Sequence, residues 1–223
     1  MLKVIGTFVF AGIMLAFLIF NTPVTKLGSG FLIGDGRHVF TYHQLVKEAD
    51  EINVKFPNED DIEANVLFAD PAHDLAILEL KEKPKVNFLP LKLSAEEIGL
   101  KDESVFTLGY PWTNTMEDQH ELIEGVTVAD TASILIQLKM NLDPVHSGSP
   151  LFNANQEVIG MVLLGVHAKS VFPVEASHHF AIPGRLLKKA AGKIDKDNQL
   201  VQNLSRESFI LKSRNNIVLI EAR

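Results

Sequence analysis

The shortness of its apolar runs is what most constrains this chain. From Leu27 onward, "SGFLIG", "HVFTY", "EINVKF", "IEANVLFAD", "DLAILEL", "SVFTLGYP", "GVTVAD", "SILIQLKM", "PLFN", "VIGMVLLGV" and "HHFAIP" follow one another with turn residues between them. Alternation with a period of two, and turn signals this close together, indicate a β-sandwich or barrel rather than packed helices. One later stretch, "IPGRLLKKAAGKI", has helical spacing, with Pro183 at its start and a basic end. "SAEEIGL" reads as one helical turn capped by Ser94. The tail "ESFILKSRNNIVLIEAR" reads as two short strands around Asn215 and Asn216.

Composition narrows the class of protein. At 223 residues the chain can hold one medium domain or two small ones, and 46% hydrophobic content supplies a core. The net charge of -7 argues against a nucleic-acid partner, which favours a basic face. There is no cysteine, so disulfides and thiolate metal sites are excluded.

The first twenty residues differ in kind. Val4 to Phe20 is apolar except for Thr7, which is just long enough for a helix to span a bilayer. No small-x-small cleavage site follows it in "FNTPVTK". The expected organisation is a transmembrane signal anchor over 1–20, a tether over 21–26 and one folded domain over 27–223. The anchor predicts a single-pass membrane protein held through residues 4–20.

Three places could carry chemistry. "HSGSPLFN" (His146–Asn153) sets a serine in a tight turn beside backbone N–H groups, an arrangement able to hold an oxyanion. Alone, such a turn is ordinary. "AHDLAILEL" places Asp74 directly before an apolar strand, where a carboxylate could orient a base or simply cap a turn. "GSGFLIGDGRHVFTYHQLV" is a strand, a turn, a second strand and a polar bend containing His43 and Gln44. His178, His179 and His167 lack the HxH or HExxH spacing of a metal site and read as strand histidines; no metal or other cofactor is expected. His146 reads as a surface residue, because neighbouring side chains diverge, and Tyr110 and Trp112 as core or rim aromatics.

Taken in order, these stretches resemble the trypsin-like serine peptidases, specifically the HtrA/Deg branch, over about residues 28 to 190. The resemblance implies an all-β fold of two antiparallel β-barrels, the first over about 27–95 and the second over about 96–183. A C-terminal helix and tail follow over 184–223, with no room for the branch's PDZ module. It puts Ser147 on the nucleophile, Asp74 on the triad acid, and the backbone of Val145, His146 and Ser147 around the oxyanion.

The base position departs from the pattern. The family's bend has threonine, two residues, histidine and usually two valines. Laid on Thr41, that register puts Gln44 on the base and Leu45–Val46 on the valines. An amide does not titrate near neutral pH, so Gln44 could bridge Asp74 and Ser147 but not carry a proton. The family also prefers glycine where the stiff Val145 stands. These departures lead to a pseudoprotease: a binding or scaffold module for a protein or peptide partner, in a membrane complex on the extracytoplasmic (periplasmic) side. Two rivals are an active endopeptidase with His43 as a displaced base, and a non-peptidase such as an esterase reusing Ser147.

Overall fold

In the computed structural model, residues 24–57, 59–95, 102–110, 120–128, 134–169, 178–192, 194 and 204–223 are described. The expected membrane anchor and most of "SAEEIGL" lie outside them, as does Trp112. Among the described residues, no helix is long and apolar enough to cross a membrane.

Among the described residues, twelve strands form two closed barrels. The first takes β1 (Lys26–Ile33), β2 (His38–Thr41), β3 (Ile52–Lys55), β4 (Ile62–Asp70), β5 (Leu75–Leu80) and β12 (Ile217–Ala222), in the spatial order β1-β12-β3-β4-β5-β2. The second takes β6 (Ser104–Gly109), β7 (Glu121–Val128), β8 (Ile136–Lys139), β9 (Pro150–Asn153), β10 (Val158–Leu164) and β11 (His179–Pro183), in the order β10-β11-β8-β7-β6-β9. All of these pairings are antiparallel. Closure leaves no free sheet edge among the described strands. Phe31, Phe40, Ile77 and Leu78 are fully buried in the first barrel. Each such side chain contributes roughly 1.5–3 kcal/mol by leaving water.

The tail corrects the sequence reading. "ESFILKS" is not a strand but helix α4 (Arg206–Ser213), whose N-cap Ser205 accepts from the Ser208 N–H. Phe209 and Ser213, four positions apart, turn inward from it, and Phe209 packs edge-on against Phe152 at 5.2 Å. After a 3-10 turn over Arg214–Asn216 comes β12, which pairs with both β1 and β3. The stretch 184–223 is therefore not an appendage, because its last strand closes the first barrel. Helix α3 (Gly184–Ala191) follows Pro183 as expected and buries Leu187 and Ala191.

Short-range polar contacts tie the halves together. Asn216, buried, accepts from the Leu89 N–H at 2.9 Å and donates to the Leu89 carbonyl at 2.7 Å. It thereby holds the inter-barrel connection, where water cannot serve as partner. Further along that connection, the Ser94 N–H donates to the Val158 carbonyl at 2.9 Å. At the barrel interface the Ser29 N–H of β1 donates to the Ser147 carbonyl at 2.9 Å, and Ser29 Oγ to the Val145 carbonyl at 2.6 Å.

Candidate active site

The bend "HQLV" folds as one helical turn, α1 (His43–Val46). Leu45 and Val46 are buried and fix its rotation, leaving His43 and Gln44 half-buried. A step of one residue turns a side chain by about 100° around such a turn. It is Gln44 that faces Asp74. Its backbone N–H donates to Asp74 Oδ1 at 2.9 Å, and its side-chain Nε2 donates to Asp74 Oδ2 at 2.9 Å. The His43 N–H donates to the Asp74 backbone carbonyl, at 3.1 Å. Among the described residues, the His43 ring makes no hydrogen bond to Ser147 or Asp74. The displaced-base reading of His43 is corrected on this geometry.

Asp74 is fully buried in a left-handed backbone conformation, φ 51°. Burial raises its carboxyl from the usual 3.8 to about 6, against the hydrogen bonds from Gln44 and the His43 backbone that hold it down. A protonated imidazole beside it would add an opposite charge that lowers it further, whereas the neutral amide supplies only its hydrogen bond, which burial outweighs.

Ser147 closes a 3-10 turn over Pro144–His146. That turn is locked at both ends: the His146 N–H donates to the Asp143 carbonyl at 2.9 Å, and the Asp143 N–H donates to His146 Nδ1 at 2.8 Å. His146 is therefore buried, not on the surface as the sequence suggested. Its ring packs over Gly109, where an added Cβ would come within 2.2 Å of His146 Cδ2. Burial keeps the His146 ring neutral by lowering its pKa. Val145, in the place that favours glycine, packs with Tyr110 and Leu219.

The oxyanion site is occupied from within. The Ser147 N–H donates to the Pro144 carbonyl at 3.2 Å, and the Val145 carbonyl is held by Ser29 Oγ. A donor committed to a protein carbonyl does not point at a developing oxyanion. Gly148 follows with φ 96°; a Cβ there would lie 1.9 Å from the Ser29 carbonyl oxygen. Only glycine fits this close approach of the two barrels.

Ser147 itself is fully buried. The two groups bonded to its hydroxyl come from the end of β10 and from the turn that follows it. The Leu164 N–H donates to Oγ at 3.0 Å, and His167 Nδ1 lies 2.7 Å away. His167 stands on the four-residue turn α2 (Gly165–Ala168), with its ring stacked on Tyr42 at 5.0 Å and 18°. Burial lowers its pKa, so the ring is neutral at pH 7. Its carbonyl accepts from Gln44 Nε2 at 3.1 Å. Gln44 thus bridges Asp74 to His167 rather than to Ser147. Of the residues predicted for the site, Gln44, Asp74 and Ser147 are brought together and the His43 ring is not, and the link runs through a histidine that spacing alone read as an ordinary strand residue. Nothing local in "LLGVHAKS" marks it; only the docking of α2 against Tyr42 does so. Among the described residues, no group of three or more acidic or histidine side chains could hold a metal ion.

Paired barrels with a serine loop from the second and an acid from the first define the class of trypsin-like peptidase domains. The family profile for the trypsin-like peptidase domain matches residues 28–161, and the chain belongs to that family. Within it, the fold and relatives are those of the HtrA/Deg branch. A probable periplasmic serine endoprotease DegP-like protein of Pseudomonas putida is 33% identical over 143 residues, covering 61% of this chain and 28% of the relative. The corresponding protein of Ectopseudomonas mendocina is 32% identical, covering 61% and 29%. The chain thus spans less than a third of the length of these relatives. The crystal structure of the serine endoprotease from Yersinia pestis has the same fold, with a TM-score of 0.59 and 23% identity, over 77% of this chain and 58% of that one.

Proposed function

We propose that this chain is a catalytically impaired member of its family, a pseudoprotease whose barrels serve as a binding or scaffold module for a protein or peptide partner. The observation that carries the reading is Gln44 in the seat of the general base, with its amide spent on Asp74 and the His167 carbonyl. An amide cannot take the serine proton and hand it to a leaving amine. The Pro144 carbonyl on the Ser147 N–H supports the same reading independently, since it blocks the donor that would stabilise a tetrahedral intermediate. The names of the relatives, which describe periplasmic endoproteases, favour an extracytoplasmic site of action. The apolar stretch over residues 4–20 would tether the module to a membrane, within a larger complex.

Hydrolysis of an unfolded protein tests the reading. Wild type should match Ser147→Ala at background. Activity should rise only when the base is rebuilt and its seat cleared, as in Gln44→His with Val145→Gly and His167→Gly. Cleavage by wild type that disappears in Ser147→Ala would overturn it.

A further inference from the structure

The hydrogen-bond accounting at Ser147 decides what His167 does. Oγ accepts one bond, from the Leu164 N–H. The hydroxyl proton then needs an acceptor, because the residue is sealed from water. Among the described residues the acceptor within reach is His167 Nδ1 at 2.7 Å. If Nδ1 instead carried the proton, the serine O–H would be buried without a partner. The pairing is satisfied only when Nδ1 is bare and the hydroxyl donates to it, which is the relation of a nucleophile to its base. Three contacts hold the ring there: the stack on Tyr42, the Gln44 amide on its own carbonyl, and the Lys169 N–H on the Gly165 carbonyl at 2.9 Å that closes α2.

We propose that Ser147 and His167 form a serine–imidazole dyad, with Gln44 as positioning residue, that takes up one acyl or phosphonyl group from a small activated electrophile. This rests on the reading above and narrows it: His167 can take the serine proton, but with the Ser147 N–H held by the Pro144 carbonyl an adduct forms without turnover. In the step itself, local opening over the buried Ser147 admits the electrophile, and Oγ bonds to its carbon or phosphorus as the hydroxyl proton passes to Nδ1. The leaving group departs with its electron pair, and the proton follows from the imidazole to the leaving group or to solvent. With a fluorophosphonate, the O–P bond forms, the P–F bond breaks, and fluoride and the proton are released. The Pro144 carbonyl holds the Ser147 N–H in both steps; an activated leaving group offsets the missing oxyanion donor in the first, whereas water attack on the adduct has no such help and the group stays on.

The test is the labelling rate of the full chain with a small fluorophosphonate, read by intact mass. Wild type should gain one adduct, Ser147→Ala none, and His43→Ala should match wild type. His167→Gln should react about a hundredfold more slowly or more, in line with the usual worth of a positioned base. The sign is decisive. Removing the ring loosens the cover over Ser147, so a purely covering His167 makes the variant faster, whereas a base makes it slower. An unlabelled wild type, a His167→Gln variant as fast as wild type or faster, or loss of labelling in His43→Ala would each overturn the dyad. Nitrogen NMR of the wild-type histidines needs no variant: a His167 ring protonated on Nε2 and bare on Nδ1 supports the dyad, and the reverse tautomer refutes it. Peptide hydrolysis is scored separately, so failure of the dyad and failure of the pseudoprotease reading are told apart.

Discussion

Gln44 and Asp74 meet through two hydrogen bonds of 2.9 Å, one from the glutamine backbone and one from its amide. A catalytic imidazole would make a comparable contact with the acid, and there it would orient a proton carrier. Here the contact orients an amide whose second donation runs to the His167 carbonyl. The bond is therefore structural, and its removal should register as lost stability. Gln44→Ala deletes both side-chain donations and leaves a buried carboxylate short of a partner. It should cost about 2–3 kcal/mol in urea unfolding with an unchanged m-value. A loss under half a kcal/mol would show that the amide is replaced by water.

Asp74 gives the site a pH signature. Its folded-state pKa of about 6 lies above the ordinary 3.8, so in this window the folded protein holds a proton that the unfolded chain has released. Stability from this group is full below about 4 and is lost as the pH rises through about 6. The difference amounts to on the order of 2–3 kcal/mol. Asp74→Asn should erase that part of the slope. Urea midpoints for wild type and variant should diverge between pH 4 and pH 7, and parallel profiles would contradict the raised carboxyl.

Ser29→Ala isolates the strap between the barrels. It removes the donation to the Val145 carbonyl and keeps the Ser29 N–H on the Ser147 carbonyl. The expected cost is about 1–2 kcal/mol, with faster amide hydrogen exchange at Ser147 and Gly148. Exchange at these two amides matching wild type would mean that the strap does not hold the loop.

Gly148→Ala should be far worse. A positive φ and a Cβ 1.9 Å from the Ser29 carbonyl cannot both be relieved without parting the barrels. The loss should exceed about 4 kcal/mol and show as little folded protein by circular dichroism. A folded variant melting with wild type would refute the close approach.

Asn216→Leu tests the buried clamp on the connection. It strands both the N–H and the carbonyl of Leu89. The expected cost is about 2–4 kcal/mol, measured as a drop in melting temperature. A melting temperature within a degree of wild type would show that Leu89 finds other partners.

Much of this was legible in the chain because period and punctuation are local properties. Alternation in "INVKF" and the apolar "LAILEL" become β3 and β5 directly, and Leu45–Val46 set the rotation that turns Gln44 toward Asp74. What escaped notice was non-local. "ESFILKS" shows little amphipathic contrast, so only the Ser205 cap and the packing of Phe209 identify a helix. His146 reads as exposed until the glycine at 109 makes room for its ring. His167 enters the site through the fold of a turn that its own sequence does not specify.

The pairing of β12 bears on the order in which the molecule can assemble. Residue 30 of β1 lies against residue 218, so the first barrel waits for a strand made long after its other five. The second barrel draws all of its strands from Ser104 to Pro183 and has no such dependence. On a ribosome the C-terminal barrel can therefore close before the N-terminal one, reversing the usual vectorial sequence. Until β12 arrives, β1 and β3 present unpaired edges, and that interval is when the chain is most exposed to mispairing.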